Sequence, residues 1–415
     1  MILSHLKIAW KVLFRRKFFT FVSLFGTAFT LVVLMVIAAM LDGFLSPGGP
    51  EVNLDRTLFI SRMTMRGPEN EWNGNPGYGF LDKYCRDLPG VVAMSLYTET
   101  GNTISFRDGN KITSDLRRTD AVYWTIHQYR FLEGAPFTED DVANARTVAV
   151  INATTRHRFF GEGQAVGRTL ETGGREYTVV GVVEDVTRAR DAVYGDIWAP
   201  ITTASTDDYK TRLMGAFNAA LLTRSSADFA AIRAEFARRL PTVQMTEPER
   251  YEKMEGAPRT RFEELASEVA GTDGPSEKAR TTLFLFGATL AALLFMSLPA
   301  INLVNLNISR ILERSSEIGI RKAFGATSGN LVNQFLLENV VLVLMGGLIG
   351  LVASAWILDI INKSGFIPYA VFHVNLRTFG VALLLSAFFG ILSGVYPAWR
   401  MSRMEPVRAL NGGTR

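Results

Sequence analysis

The chain has 415 residues, enough for two or three domains, with 48% apolar residues and a formal net charge of +4. So slight a positive excess gives no reason to look for a nucleic-acid partner, and the single cysteine, Cys85, excludes an intrachain disulfide. Apolar residues fall in long runs flanked by basic residues, the pattern of a membrane protein whose loops encode its orientation.

Residues 1–17, MILSHLKIAWKVLFRRK, put Leu3, Leu6, Trp10, Leu13 and Phe14 at helical spacing, with Lys7, Lys11, Arg15 and Arg16 as a basic side. This is an amphipathic helix for the cytoplasmic membrane surface. Residues 18–41 form an uncharged apolar run of spanning length, too long for the h-region of a signal peptide, and are read as the first span. Residues 42–282 are polar and contain no span. They open on Ser46-Pro-Gly-Gly-Pro50, a flexible exit. Strands are expected at Thr57 to Met63, Val91 to Tyr97, Ile104 to Arg118, Val148 to Ile151, Arg168 to Leu170, Tyr177 to Val183 and Phe217 to Leu222. Helices are expected at Tyr78 to Leu88, Ala153 to Phe160, Asp228 to Leu240 and Glu263 to Ala270. Cys85 reads as a helix-packing residue.

Three more spans follow: 283–306, with Pro299 and Asn302 in its later half; 331–358, with Asn333, Gln334 and Glu338 near its start; and 378–397. Glu338 is open to two readings, a snorkelling side chain or a functional charge. Four spans put both termini on one side. Lys7, Lys11, Arg15, Arg16 and Lys17, then Arg310, Arg314, Arg321 and Lys322, then Arg400, Arg403 and Arg408, mark that side as cytoplasmic, because the loop from Asn362 to Arg377 offers only Lys363 and Arg377. The tail 398–415 is then cytoplasmic and the insertion is outside. In the spans, Ala382, Ser386, Gly390 and Gly394 recur every fourth residue and Gly346 and Gly350 repeat the spacing, giving small-residue faces for packing within the chain or against a second copy.

Between the second and third spans, residues 307–330 contain RILERSSEIGIRKAFGATSGN. Glu313, Glu317 and Arg321 share one helical face, with Glu317 and Arg321 in attractive register, while Ile311, Ile318 and Phe324 lie on a neighbouring one. Gly325 suits a C-terminal cap and Thr327 or Ser328 an N-cap for the next helix. Isoleucine, alanine and phenylalanine interleaved among charges suit a surface that docks into another protein.

Catalytic signals are weak. Gly163-Gln-Ala-Val-Gly-Arg-Thr169 is one residue short of a P-loop, has Arg for Lys, and reads as a turn before a strand. His5, His127, His157 and His373 form no ligand pair, no Gly-x-Ser-x-Gly elbow occurs, and Asp140-Asp141 reads as a helix start or a loop. The chain is read as a non-enzyme that binds no cofactor of its own.

ERSSEIGIRKAFGATSGNLVNQFLLEN resembles the cytoplasmic loop of the MacB/FtsX/LolC-type ABC transporter permeases, and YPAWRMSRMEPVRAL resembles that family's closing motif. FLEGAPFTEDDV, VAVINATTRHRFFGEGQAVGRTL and YTVVGVVEDV are similar to its MacB-type periplasmic domain. The resemblance implies an α+β membrane protein: four transmembrane helices with a large two-lobed α/β extracytoplasmic domain between the first and second. Residues 53–100 and 213–248 would form the membrane-proximal lobe, 101–212 the distal β-rich lobe and 249–282 a stalk. It also implies a permease subunit without a fused ATPase, working by mechanotransmission in export or efflux of a peptide, drug or lipoprotein. The partners would be separate ABC ATPase subunits carrying ATP and Mg, a second permease subunit in a homo- or heterodimer, and a periplasmic or membrane-fusion protein. Glu313, Glu317, Ile318, Gly319, Ile320, Arg321, Lys322, Phe324 and Gly325 are the expected ATPase contact. Gly346, Gly350, Ser386, Gly390 and Gly394 are the expected packing residues. The alternatives are an ATPase-independent signalling or scaffold protein and an FtsX-like regulator of cell-wall hydrolases.

Overall fold

A computed structural model describes residues 17–107, 109–270, 279, 281–295, 297, 320, 324, 327–365, 369 and 371–402. The expected amphipathic helix over residues 1–17 (bar Lys17), most of the second span beyond Phe295 and the tail beyond Ser402 lie outside the described residues. The chain divides into two compact units, one of apolar helices and one spanning Phe44–Thr281 with Ile367–Ala370.

In the helical unit, α1 runs over Lys17–Leu45. It ends just before Ser46-Pro47, where the residue preceding a proline is pushed out of helical geometry. The two helical stretches long and apolar enough to cross a membrane, among the described residues, are Thr20–Leu45 and Leu336–Ser364. Thr281–Phe295 and Leu376–Phe389 are shorter apolar helices. The helix over Ser328–Ser364 stops at Gly365, whose φ of +64° is a left-handed cap that glycine takes without strain. The helix over Leu376–Ser402 begins after Asn375, whose Oδ1 accepts from the amides of Arg377 at 3.0 Å and Thr378 at 3.2 Å, an N-cap that satisfies two otherwise orphaned donors.

The second unit is α+β. In chain order its elements are β1 (Thr57–Ile60), β2 (Met63–Arg66), β3 (Glu71–Pro76), α2 (Tyr78–Tyr84), β4 (Val91–Thr98), β5 (Gly101–Arg107), β6 (Asn110–Thr119) and α3 (Tyr123–Ile126). Then come β7 (Phe131–Gly134), α4 (Glu139–Ala143), β8 (Val148–Asn152), α5 (Ala153–Phe160), β9 (Thr169–Thr172), β10 (Arg175–Val183) and β11 (Ile197–Pro200). The last are β12 (Met214–Gly215), β13 (Phe217–Thr223), α6 (Phe229–Arg239), β14 (Lys253–Glu255) and α7 (Arg261–Ala270). The three apolar helices that follow are α8 (Thr281–Phe295), α9 (Ser328–Ser364) and α10 (Leu376–Ser402).

A mixed sheet runs β1-β13-β4-β6-β11-β8-β10-β7, with β5 on β6 and β9 on β10, and a smaller sheet runs β12-β3-β2-β14. The two stretches expected as separate lobes therefore share one sheet, joined where Tyr97 of β4 faces Thr119 of β6. Each side keeps its own apolar cluster. Phe80, Leu81, Ile232 and Phe236 pack with Leu58, Leu96 and Leu221 on one side. Val179, Val182, Ile197 and Phe159 pack on the other. Between them lies an aromatic cluster of Tyr97, Tyr123, Trp124, Phe137 and Trp198, with the two indole rings 6.1 Å apart. Full burial of such side chains contributes roughly 1.5–3 kcal/mol each, so these clusters outweigh any one surface contact.

Three expectations change in detail. The run Thr57 to Met63 divides at Ser61-Arg62 into β1 and β2, which belong to different sheets. Ile104 to Arg118 is no single strand but the β5–β6 hairpin, turning at Gly109 with φ of +79°. Residues 253–255 of the expected stalk pair with β2, and α7 buries Ala266, Glu264 and Ser267, so this part is folded into the second unit. Elsewhere Asp141 closes a capping box with Thr138 and starts α4. Cys85 sits in the core at the end of α2, where burial pushes its thiol pKa up and leaves it unreactive.

Candidate functional site

Of the expected ATPase contact, Glu313, Glu317, Ile318, Gly319, Arg321, Lys322 and Gly325 lie outside the described residues. Ile320 and Phe324 are described. The Phe324 amide donates to the Ile320 carbonyl at 3.0 Å, one turn of helix, and the Phe324 ring is 88% exposed. An aromatic ring that open is the kind of group a protein interface buries.

The packing glycines meet other helices of the same chain. A Cβ on Gly346 would stand 2.9 Å from Thr27 Cβ of α1, and one on Gly350 would stand 3.2 Å from Ala28 O and Leu31 Cβ. Gly347 faces α10 instead, where an added Cβ would stand 2.5 Å from Leu383 Cδ1. Thus α9 lies against both α1 and α10, with its backbone close to each. Ser386 is half-buried, and Gly390 and Gly394 lie within α10. Glu338 is 4% exposed, which removes the snorkelling reading: a snorkelling carboxylate would reach outward. At the far end of α9, Asn362 closes the connection to α10 by donating to the Phe372 carbonyl at 3.0 Å and accepting its amide at 2.9 Å.

In the outer domain the structure assembles a charged cluster with no counterpart among the sequence expectations. Residues Ser46 to Glu51 are not a loose exit: Gly48 and Glu51 pair by backbone hydrogen bonds, and Gln128 donates its amide to the Pro50 carbonyl at 2.9 Å. Glu51, shortly beyond the end of α1, has a side chain only 1% exposed and bridges two guanidiniums, Arg190 at 3.0 Å and Arg261 at 3.0 Å. Arg261 opens α7, the helix that precedes α8 in the chain, and also binds Glu264 at 2.9 Å. Ser61 donates to Glu264, and the Arg261 guanidinium stacks 4.7 Å from the Phe59 ring centroid. Arg190 further donates to the Ser46 carbonyl at 2.9 Å. Burial works to raise the Glu51 carboxyl pKa, but Arg261, His127 and Arg190 together hold it below the ordinary range. His127, fully enclosed beside it, is held down at about 4 by burial and by Arg117 and Arg261, against the pull of Glu51. Burial pushes the Glu264 carboxyl up against Arg261 and Ser61.

A second buried guanidinium pins the loop that carries Arg190. Arg117 of β6 donates Nε to the Tyr194 carbonyl at 3.0 Å, Nη1 to the Thr98 carbonyl at 2.8 Å and Nη2 to the Asp191 carbonyl, and stacks over Tyr97. The arrangement is a joint. It ties the segment leaving α1, the helix that precedes α8 in the chain and the loop 187–194 through largely buried charge-assisted hydrogen bonds, which are geometrically exacting. Nothing in the sequence spacing brings Glu51, Arg190 and Arg261 together. The only hint is a glutamate set between Pro50 and Val52, an awkward place for an exposed charge. Among the described residues no group of three or more His, Cys, Asp or Glu side chains is placed to hold a metal ion.

Two family descriptions match the chain. The MacB-like periplasmic core domain covers residues 20–239, more than half of it, and the FtsX-like permease C-terminal domain covers residues 289–406. The chain belongs to this family of MacB/FtsX-type ABC transporter permeases. It is 26% identical over 420 residues to a Bacillus subtilis (strain 168) protein named Uncharacterized ABC transporter permease YvrN, covering 98% of this chain and 99% of that one. It is 28% identical over 340 residues to the macrolide export ATP-binding/permease protein MacB of Chromobacterium violaceum, covering 78% of this chain but only 48% of the relative, so it spans about half the length of that protein. Among solved structures, the extracellular domain of the noncanonic ABC-type transporter YknZ superposes with a TM-score of 0.37 at 15% identity, covering 48% of this chain and 98% of that one. The periplasmic region of MacB from Actinobacillus actinomycetemcomitans gives 0.37 at 13% identity, covering 53% and 94%. The protein is thus a permease component of the inner (plasma) membrane, with an α+β outer domain and apolar helices at its N-terminus and in its C-terminal region.

Proposed function

We propose that this chain is the transmembrane subunit of an ABC-type assembly in which separate ATPase subunits drive movement of the outer domain and no solute passes between the spans. Two copies, or one copy and a related permease, pair with two ATPases that hold ATP and Mg. Four spans keep both termini cytoplasmic and the large domain outside. Closure of the ATPases displaces residues 307–330, with Glu313, Glu317, Ile318, Gly319, Ile320, Arg321, Lys322, Phe324 and Gly325 at the contact. The first and second spans pass that movement outward. The observation that supports this reading beyond family membership is the Glu51–Arg261 joint: the segment just after α1 and the helix that precedes α8 in the chain are bound to one another by a buried ion pair. Movement of either segment is then shared with the other and, through Arg190, with the loop 187–194. The work done is export or efflux of a solute such as a peptide, drug or lipoprotein, handed to a periplasmic or membrane-fusion partner.

Retention of the ATPase on the purified permease tests the coupling. Glu317→Lys with Arg321→Glu keeps two opposite charges at i, i+4, and so preserves the helix, but inverts the pattern shown to a partner. The wild type should retain a soluble ATPase and the double variant should lose it. Undiminished association in the double variant would show that the contact lies elsewhere.

A further inference from the structure

Strand β5 is inside out. Along β5, Ile104 and Phe106 point to solvent, Phe106 at 68% exposure, while Thr103 and Ser105 face inward. On β6, Ser114 stands opposite Thr103 in the strand register, between Ile112 and Leu116, which join the apolar cluster on that side, with Arg118 further along the same face. A strand laid on a folded body ordinarily carries its apolar residues inward, so the inward Thr103 and Ser105 of β5 need another cause. Among the described residues the buried hydroxyls of Ser105 and Ser114 have no hydrogen-bond partner, and neither has Nε of Arg118, which is shut off from solvent. Buried polar groups without partners are costly and rare in folded proteins.

Of these residues Arg118 alone lines a cleft of about 340 Å³ between this hairpin and the β9–β10 turn. Arg118 and Arg175 both line it, with the Ser205 hydroxyl and those of Thr103 and Thr172, which are hydrogen-bonded to each other at 2.9 Å. Arg175 donates Nη1 to the Thr203 carbonyl at 2.5 Å, and among the described residues neither arginine has a carboxylate at ion-pair distance. The one acid at the rim, Glu99, is exposed and accepts from Asn75 at 2.9 Å. Two uncompensated guanidiniums and a ring of hydroxyls favour an anion whose oxygens complete their hydrogen bonds, because planar guanidinium donors match carboxylate and phosphate oxygens in pairs.

We infer that this cleft binds a small solute through a carboxylate or phosphate group, clamped between Arg118 and Arg175, with the threonine and serine hydroxyls holding its polar remainder. The site is independent of the ATPase coupling, and it is read on the permease alone.

The test is isothermal titration of the full-length chain in detergent micelles with inorganic phosphate, with N-acetyl-dialanine, and with the uncharged C-terminal amide of that peptide. The expected result is saturable one-site binding of at least one of the two anions and none of the amide. Phosphate alone would assign a phosphorylated solute and the dipeptide alone a peptide C-terminus. Arg118→Met should weaken binding about tenfold or more, the loss of one charge-assisted hydrogen bond, while Lys111→Met on the outer face of the same hairpin should leave it unchanged. Should Arg118→Met fail to fold, Arg175→Met answers the same question. Absence of binding by both anions, or equal binding by the arginine variants and the wild type, would overturn the inference.

Discussion

Glu51 shows how much a single side chain can hold. Removing it leaves the largely buried guanidinium of Arg190 without its carboxylate and that of Arg261 with Glu264 alone, and breaking a buried pair from one side costs about 3–5 kcal/mol. Glu51→Ala should therefore lower the unfolding temperature of the outer domain by roughly 10 °C, since 1 kcal/mol moves a domain of this size by about 2–4 °C. Near-UV circular dichroism of the solubilised full chain, which reports the Trp124–Trp198 cluster, measures it. An unchanged midpoint would mean that the joint bears no load. The same probe reads two titrations of opposite sign. His127, held at about 4 against an ordinary 6.5, binds a proton more readily when unfolded, so its environment loses stability as pH falls from 6.5 to about 4. Burial raises Asp120 to about 6 from 3.8 despite its bonds from Leu96, Ser95 and Tyr123, so the folded state binds that proton first and gains stability as pH falls from about 6 to 3.8. Each is worth on the order of 3 kcal/mol, and their windows nearly coincide. Between pH 6 and pH 4, Asp120→Asn should make acid more destabilising than in the wild type, and His127→Gln should make it less so. At this scale the sequence is least informative. Glu51, Arg190, Arg261 and His127 are far apart in the chain, and pairing between distant residues leaves no local pattern to read.

Elements were legible where periodicity and punctuation agree. Ala153 to Phe160 is helical over those same residues, capped by Asn152, whose Oδ1 accepts from the Thr155 amide at 2.7 Å. The Asp-Gly at positions 108 and 109 is a hairpin signal, but β-branched residues on both sides made the stretch read as one long strand. The small-residue spacing of Gly346 and Gly350 was visible too, yet such a pattern does not say which helix it meets; the structure places α1 there. That contact gives a prediction with an internal control. Gly346→Leu drives a side chain into Thr27, whose Cβ cannot swing away, and should cost at least about 1–3 kcal/mol of overpacking. Gly380→Leu, on α10 with nothing within 4 Å of its added Cβ, should cost nothing measurable. Thermal inactivation of the two variants in detergent compares them, and equal loss in both would show that close approach of α1 and α9 is not what the glycine provides.

For the molecule as a whole, family membership and the broad plan, apolar helices around a large polar insertion, follow from the distribution of hydrophobic runs and from two motifs at residues 310–330 and 396–410. The shared sheet was not legible, because the β4–β6 junction rests on one residue pair, Tyr97 with Thr119, and strand order across a long insertion has no sequence signature. The folding of residues 253–270 into the second unit escaped for a related reason: β14 is three residues long and pairs with a strand far back in the chain. The proposal for the whole molecule is a lever, with one end at residues 307–330 inside the cell and the other in the outer domain. Phe324 and Phe106 are both well exposed and Cys85 is buried, so single cysteines at the first two positions can be labelled without interference. A membrane-impermeant maleimide applied to intact cells should label Phe106→Cys and leave Phe324→Cys untouched until the membrane is opened. Labelling of both from the same side before permeabilisation would contradict the lever outright.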